Sequence, residues 1–468
     1  MSKSDAHRTE FTVRCACGIE YHTSDAHLGH ALPCKCGRTV VITRAPEDAA
    51  PDNARPKRKK RRFEATDSET ERAAKLLSGF RRRGGLVSAF LYPWRFGGWI
   101  ARATFMGSIA YLAGMFVAWM LLRFGSERII PGTIIAFGPR FLSLVPLVLL
   151  LPAALLVARS ALLPLAIAAW IGLVPVMGAR VNLSTLRSEP PPAPVDGTFR
   201  VMTFNVQGGG GLRRGFRPML YDLAPDVVLM QECSERLWRI IRRQNDWHSA
   251  QHGQTCLMSR WPLKLVETMP REAILSMSSG GGGGSGFVMR AYIDSPRGQL
   301  IVINLHLETA RRGLEGMLSP EGLIPDDPLD VSPDTVREPI VSTTENIARF
   351  AANVAVRDKE SALASAWARE ASKQGALVVG GDFNLPVESN IFRTHWGDFV
   401  DAFEAKGNGL GWTKREGRWL RIRIDHLLTT KDGPQPLNVM VGPNYGSDHR
   451  PVIADYAWST SVPSPPPR

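Results

Sequence analysis

The chain has 468 residues, too many for one compact hydrophobic core, and a formal net charge of +13. Its hydrophobic content is 44%, an ordinary value, but much of it lies between Ala103 and Ala179. Six cysteines are too few for a disulfide scaffold. The positive balance favours anionic partners such as nucleic acid, phospholipid head groups or phosphorylated substrates. Basic flanks that merely orient membrane spans give the same balance.

Met1–Glu10 is polar and charged, unlike a signal peptide. In the module at 11–42, β-like edges at Phe11–Arg14 and Thr39–Ile42 flank two Cys-x-Cys-Gly turns. Glycine after each second cysteine suits a tight knuckle whose backbone N–H groups turn toward thiolate sulfur. Cys15, Cys17, Cys34 and Cys36 would complete a tetrahedral Zn²⁺ site, with His22, His27 and His30 as substitute ligands. The segment resembles the short zinc-ribbon modules at the start of some bacterial membrane proteins, although their usual spacing is Cys-x-x-Cys. The competing reading is a small hairpin with reduced, unliganded cysteines. So short a segment rarely folds without a staple, which favours the metal. Such a module would serve a cytoplasmic partner of unknown identity.

Residues 43–98 read as a basic, largely disordered linker, with PKRKKRR at 56–62 and a short helix around Glu69–Leu77. Its charge suits the cytoplasmic face of a membrane and contact with anionic lipid. Binding nucleic acid is the alternative.

Residues 99–180 read as a transmembrane region of about three helices. Ala103–Leu122, Phe141–Ala158 and Ser160–Ala179 carry no charge, and each can cross a hydrocarbon core of about 30 Å. Trp94, Trp99, Trp119 and Trp170 include candidates for interfacial anchors. Phe141–Ala179 is either a tight hairpin turning at Arg159 or one span plus an interfacial segment, and Ile129–Pro139 is a further candidate. With a basic, cytoplasmic N-terminus, three spans put everything after Arg180 outside the cytoplasm, and two leave it inside. Reduced thiolates also prefer the cytoplasm. The expectation is three spans in a bacterial inner membrane with an extracytoplasmic C-terminal domain. A linker at 181–197, proline-rich from Ser188, is stiff and extended, and the tail at 459–468 reads as disordered.

From 198 to 458 short apolar strands alternate with polar loops and amphipathic stretches. Phe199–Phe204, Val227–Met230, Leu300–Leu305 and Ala376–Val379 read as buried strands. Each is followed by a group able to bind metal or phosphate: Asn205, Glu232, His306, and Asp382 with Asn384. Two later motifs add Asp425, and Asp448 with His449. Singly, an Asn or Asp after a strand is a turn former and a lone His is a satisfied core residue. Six such motifs at strand ends in one domain are not six independent turns.

This ordered set, above all Gly-Asp-Phe-Asn at 381–384 and Ser-Asp-His-Arg-Pro at 447–451, closely resembles the endonuclease/exonuclease/phosphatase superfamily. Deoxyribonuclease-I-like nucleases, apurinic-site endonucleases, neutral sphingomyelinases and inositol-polyphosphate phosphatases are members. The resemblance implies an α/β (α+β) four-layer α/β/β/α sandwich with its active site at one end. It implies a phosphoester hydrolase in which Glu232, Asn205 and Asp448 hold Mg²⁺ or Mn²⁺, a hard cation that prefers oxygen. Asp382 would orient or deprotonate the attacking water and Asn384 would bond a phosphate oxygen. His449 would act on the phosphoryl group with Asp425 fixing it, and His306 would contact phosphate or the leaving group.

Substrate stays open between a nucleic acid and a lipid or polyol phosphate. Basic residues such as Arg213, Arg214 and Arg217 lining the cleft would favour a polyanion, and an apolar rim would favour lipid. A non-catalytic membrane scaffold is the rival from another class, and the full set of polar groups argues against it. The insertion at 309–349 is either a lid or a surface decoration. The run at 279–286 is either a phosphate cradle or a hairpin loop. Trp412 either stacks on substrate or packs, and whether Cys233 meets Cys256 is open.

Overall fold

The computed structural model describes residues 10–15, 20–24, 28, 30–35, 39–42, 98–186, 194–212, 215–278, 286–311, 313–314, 343–417 and 419–458. Two units divide the chain, Met1–Arg82 and Arg83–Arg468. In the first, β1 (Glu10–Arg14) pairs with β2 (Glu20–Ser24), and β3 (Ala31–Pro33) with β4 (Thr39–Val41), both antiparallel. Cys15 directly follows β1 and Cys34 directly follows β3, and both are buried thiols. Cys17, Cys36, His27 and the helix expected at Glu69–Leu77 lie outside the described residues.

The second unit begins with three helices long and apolar enough to cross a membrane: Trp99–Gly125, Arg140–Val157 and Arg159–Val176. Leu149 and Leu156 are 76% and 83% exposed, an arrangement that water penalises and hydrocarbon does not. Where the helices touch, alanines dominate: Ala101, Ala154, Ala158 and Ala161 pack with Phe105 and Leu165. Small side chains let helix backbones approach closely. The region at 141–179 is therefore a helical hairpin that turns at Arg159. Ile129–Pro139 is not a span. Its helix, Ile130–Phe137, has eight residues, too short to cross, and packs Ile130 and Phe137 against Ala310, Leu314 and Phe350.

The chain from Thr198 onward, the candidate catalytic half, contains two six-stranded sheets. Sheet I uses β5 (Thr198–Asn205), β6 (Val227–Gln231), β7 (His248–His252), β8 (Thr255–Ser259), β17 (Gln435–Val441) and β18 (Val452–Ala457), in the order β17-β18-β5-β6-β8-β7. Sheet II uses β9 (Leu263–Thr268), β10 (Phe287–Ser295), β11 (Gly298–His306), β12 (Ala376–Asp382), β13 (Val400–Asp401) and β16 (Asp425–Thr429), in the order β13-β16-β12-β11-β10-β9. A separate hairpin joins β14 (Lys414–Glu416) to β15 (Leu420–Ile422). Each large sheet has one parallel pair, β5/β6 and β11/β12, and is otherwise antiparallel.

Strand alternation decides the layers. In β5, Phe199 and Val201 face the other sheet and join Val302 and Val378 in the inner core. Met202 and Phe204 face outward onto Met219 and Leu237, which come from helices at 216–223 and 235–241. Val379 and Leu377 of sheet II likewise face Val356 and Ala364 of the helix at 343–372 and Trp396 of the helix at 390–396. The result is helix, sheet, sheet, helix. Gly380 sits where a Cβ would come within 2.7 Å of Leu229 and Leu427, so the sheets close here only around glycine. Just below the rim, buried Gln231 donates to Asn304 Oδ1 at 2.7 Å, and Asn304 Nδ2 donates to the carbonyls of Met230 and Cys256. These bonds tie the two sheets in register.

The apolar helices are docked on this sandwich. Glu127 follows the first of them and is buried. Its carboxylate accepts from Ser389 Oγ at 2.6 Å and Asn390 N at 2.8 Å, capping the helix at 390–396. Arg357 Nη2 lies 3.6 Å from the same carboxylate and donates to the Asn384 carbonyl at 3.2 Å. Arg140 opens the second long helix. It bonds Glu388 at 2.8 Å and the Val176 carbonyl, at the end of the third, at 3.2 Å. Arg180 and Gly409 exchange backbone hydrogen bonds. The chain thus meets the catalytic half well before Ser188, so the proline-rich stretch does not set its distance. Glu127→Ala should cost about 3–5 kcal/mol, because it removes a carboxylate facing buried Arg357 and the acceptor for Ser389 Oγ and Asn390 N at the start of the helix. Thermal unfolding in detergent tests this, and a melting temperature equal to wild type would contradict it.

Candidate active site

Sheet pairing builds the site. In sheet II, His306 lies opposite Asp382, and Asp382 lies opposite Asp425. Opposed residues on neighbouring strands share a face, so the three form one row across the rim. Asp425 begins its strand rather than ending it. It reaches the same rim because β16 runs antiparallel to β12. Sheet I contributes Asn205 at the end of β5 and Glu232 just past β6. The loop before β18 adds Asp448 and His449. Glu232 (φ 52) and Asn384 (φ 51) adopt left-handed backbone, uncommon outside glycine, which turns each strand end sharply at the rim.

Asp382 is at the centre. Its Oδ1 accepts from Asn384 N at 2.9 Å and its Oδ2 from Asn205 Nδ2 at 3.1 Å. His449 Nε2 and His306 Nε2 lie 3.6 and 3.8 Å from Oδ2. Burial pushes the Asp382 carboxyl up, but His449, His306, Lys414 and the Asn205 bond outweigh it and hold the group below its ordinary value. Asn205 Nδ2 also donates to Glu232 Oε1 at 2.8 Å. Asn384 Nδ2 donates one hydrogen to the Leu307 carbonyl at 2.8 Å, leaving the second for another acceptor.

His449 is buried. Its Nδ1 donates to Asp425 Oδ2 at 2.8 Å, while its Nε2 has no hydrogen-bond partner among the described residues. Burial pulls the imidazole down, yet Asp425 and Asp382 raise it to about 9. Burial pushes the Asp425 carboxyl up. The pair's proton belongs on His449, which carboxylates flank on two sides. Ser447 Oγ donates to the Asn205 carbonyl at 2.8 Å and accepts from His449 N at 3.1 Å, linking this loop to β5.

Two groups, Lys414 and Thr413, were not singled out in the sequence. Lys414 Nζ lies 3.6 Å from Asp448 Oδ2. Burial would lower its ammonium, but Asp448, Asp382, Glu416 and Glu232 together hold it above its ordinary value. Only its place two residues after the singled-out Trp412 pointed to it. Thr413 Oγ1 accepts from the backbone N–H of Ile424 and Asp425, both at 3.1 Å, and so seats Asp425. Cys233, next to Glu232, forms a disulfide with Cys256 of β8.

Trp412 carries the Arg421 guanidinium 5.4 Å from its ring centroid and does not line the cavity that Asn384 and Lys414 share. Arg217 donates to Gln244 at 3.0 Å on the surface. Arg213, Arg214, the run at 279–285 and the insertion at 315–342 lie outside the described residues.

The donor chemistry fits a hard divalent cation. The Asn205 amide lies within hydrogen-bond distance of both Glu232 and Asp382, and Asp448 lies within 4.0 Å of His449 and Lys414. Asp382, Asp425 and His449 also bring ligand atoms within 4.8 Å, but a protonated His449 suits proton donation better than metal ligation.

The raised His449 pKa makes a signed prediction. The folded-state value is about 9 against an ordinary 6.5. Its stabilisation is full below pH 6.5 and is lost as pH rises through about 9, worth about 3 kcal/mol. The metal-free protein should lose melting temperature across that window, and His449→Gln should not. Parallel curves for the two proteins would refute the ion pair.

A family model described as Endonuclease/Exonuclease/phosphatase family matches residues 202–449. No curated protein matches the chain. Among solved structures, truncated Caenorhabditis elegans TDP2 is 16% identical with a TM-score of 0.38, covering 56% of this chain and 97% of that one. The Neisseria meningitidis 3'-5' exonuclease NExo is 19% identical with a TM-score of 0.39, covering 55% of this chain and 100% of the other. D. rerio TDP2 complexed with a single-strand DNA product is 16% identical with a TM-score of 0.37, covering 56% and 99%.

Proposed function

The chain belongs to the endonuclease/exonuclease/phosphatase family, and we propose that it is a membrane-held, divalent-metal-dependent phosphoester hydrolase. The observation that carries this reading is the rim where Asp382 is held as a carboxylate between two histidines, with Glu232 and Asn205 beside it.

Glu232, Asn205 and Asp448 would hold Mg²⁺ or Mn²⁺, which supplies a charge sink for the phosphoryl oxygens. Asp382 would orient the attacking water and take its proton, since its own carboxyl is held below the usual range. His449, protonated at neutral pH and with Nε2 unpaired among the described residues, would give a hydrogen bond to the phosphoryl oxygen or a proton to the leaving oxygen. Asp425 would hold its ring. His306, the second Asn384 hydrogen and Lys414 supply further donors for the anionic phosphate.

Three helices long and apolar enough to cross a membrane support a membrane placement. Three passes leave the connection at 126–139 at the same end of the bundle as the chain after Val176, and both ends meet the catalytic half. Disulfides persist in oxidising compartments and thiols in reducing ones. The Cys233–Cys256 bond supports an extracytoplasmic catalytic domain. The basic run at 56–62 supports a cytoplasmic N-terminal module, in which Cys15, Cys17, Cys34 and Cys36 would bind Zn²⁺.

The test uses the full chain in nanodiscs with bis(4-nitrophenyl) phosphate and Mg²⁺ or Mn²⁺. Asp382→Asn and His449→Gln should each lower kcat by roughly a hundred- to ten-thousand-fold, and a chelator should abolish turnover. Glu232→Gln should weaken Mn²⁺ binding measured by calorimetry. Full activity with chelator present would overturn the metal assignment. Separately, an impermeant maleimide applied to intact cells after reduction should label Cys233 or Cys256 and spare Cys15 and Cys34. The opposite pattern would invert the topology.

A further inference from the structure

Beside the rim lies a cavity of about 710 Å³. Its lining joins Asn384 and Lys414 of the candidate site to Phe141 and Leu142, which open the second long apolar helix. Ile134 of the short helix lines it, and so do Trp419 and Leu420 of the β14–β15 hairpin. Trp419 is 65% exposed and stacks on Phe141 with ring centroids 6.0 Å apart.

The walls are of a kind that nucleic acid does not need. A single-strand site tracks the phosphates with a line of cations and presents aromatic faces to successive bases. Here aliphatic and aromatic surface runs from one phosphate-binding corner to the foot of a membrane helix. Among the described lining residues the cations are Lys414 and Arg311, which pair with Asp448 and Glu416. Few charges and a largely aliphatic and aromatic lining match an amphipathic phosphoester.

Resting on the phosphohydrolase reading above, we propose that this cavity seats the hydrocarbon chain of a lipid phosphoester whose phosphate lies at Lys414 and His449. The chain enters beside Phe141 and Leu142, where the catalytic half meets the apolar helices, and the phosphate reaches Asp382 without the lipid leaving the bilayer surface. Docking through Glu127 and Arg140 keeps that entrance aligned with the helices.

The test is a homologous series of 4-nitrophenyl alkyl phosphates, methyl, butyl, octyl and dodecyl, hydrolysed by the full chain in nanodiscs with Mg²⁺. The reaction is the same throughout: water adds to phosphorus, 4-nitrophenolate leaves, and an alkyl phosphate and a proton remain. Burying each further pair of methylenes should raise kcat/KM by roughly tenfold until the cavity is full. Ile134→Trp and Leu420→Trp fill the cavity from two of its lining elements, and each should lower the dodecyl-to-methyl ratio at least tenfold. These variants separate cavity binding from simple partitioning into the nanodisc, which they would not alter. Equal kcat/KM across the series, or a ratio unmoved in both variants, would overturn the lipid assignment while leaving the hydrolase reading intact. Faster cleavage of a single-stranded oligonucleotide than of the dodecyl ester would overturn it in favour of nucleic acid. Hydrolysis of none of these substrates would refute the hydrolase reading itself.

Discussion

A carboxylate taken out of water must be matched on every side, and Asp382 imposes that demand on the whole rim. Its two oxygens take an amide from Asn205 and a backbone N–H from Asn384, and two imidazoles stand within 4 Å. Each of these partners belongs to a different strand or loop, so satisfying one charge assembles the site. The same demand passes to His449, which sits between Asp382 and Asp425 and holds its proton because both neighbours are anionic. Electrostatic compensation thus keeps a carboxylate ionised beside a protonated imidazole, the arrangement that the proposed acid–base roles require.

The rim holds its register because the sheets beneath it cannot slip. The Gln231–Asn304 bond crosses between sheets only one residue below Glu232 and two below His306. Gly380 lets Leu229 and Leu427 close over it. From there a short chain of polar contacts leads outward, from the Asn384 carbonyl to Arg357, to Glu127, and so to the end of the first apolar helix. The catalytic loop and the helix bundle therefore share buried charges, and loosening one end leaves the other uncompensated. A catalytic half docked in this way has a fixed face toward the helices, and its large apolar cavity lies on that face.

Much of the site was legible in the sequence because its chemistry is local. Asn205, Glu232, His306, Asp382, Asn384, Asp425, Asp448 and His449 each sit at the border of an apolar strand. Strand alternation and turn chemistry are written within a few residues. The inner and outer faces of β5 could be read the same way, and so could the three uncharged helices. Lys414 and Glu127 could not. One is a lysine among several basic residues, and the other is a glutamate between two apolar helices. Each gains its meaning from a partner across the fold, Asp448 in one case and Ser389 in the other. Ile129–Pro139 also misled, since its hydropathy suits a span but its length suits a wedge against Phe350.

Periodicity, charge and strand-end residues thus determined, from sequence alone, that the chain carries apolar helices followed by a domain of short buried strands with carboxylates and histidines at their ends, and the resemblance of its motifs implied the two-sheet, hydrolase-like fold. Only the tertiary structure decided that Cys233 and Cys256 join, that the catalytic half packs on the helices ahead of its proline-rich stretch, and that an apolar cavity connects the rim to them. These outcomes depend on contacts between residues tens to hundreds of positions apart. A cavity has no sequence of its own; it is the space left where the helix at 130–137 and the hairpin at 414–422 fail to touch.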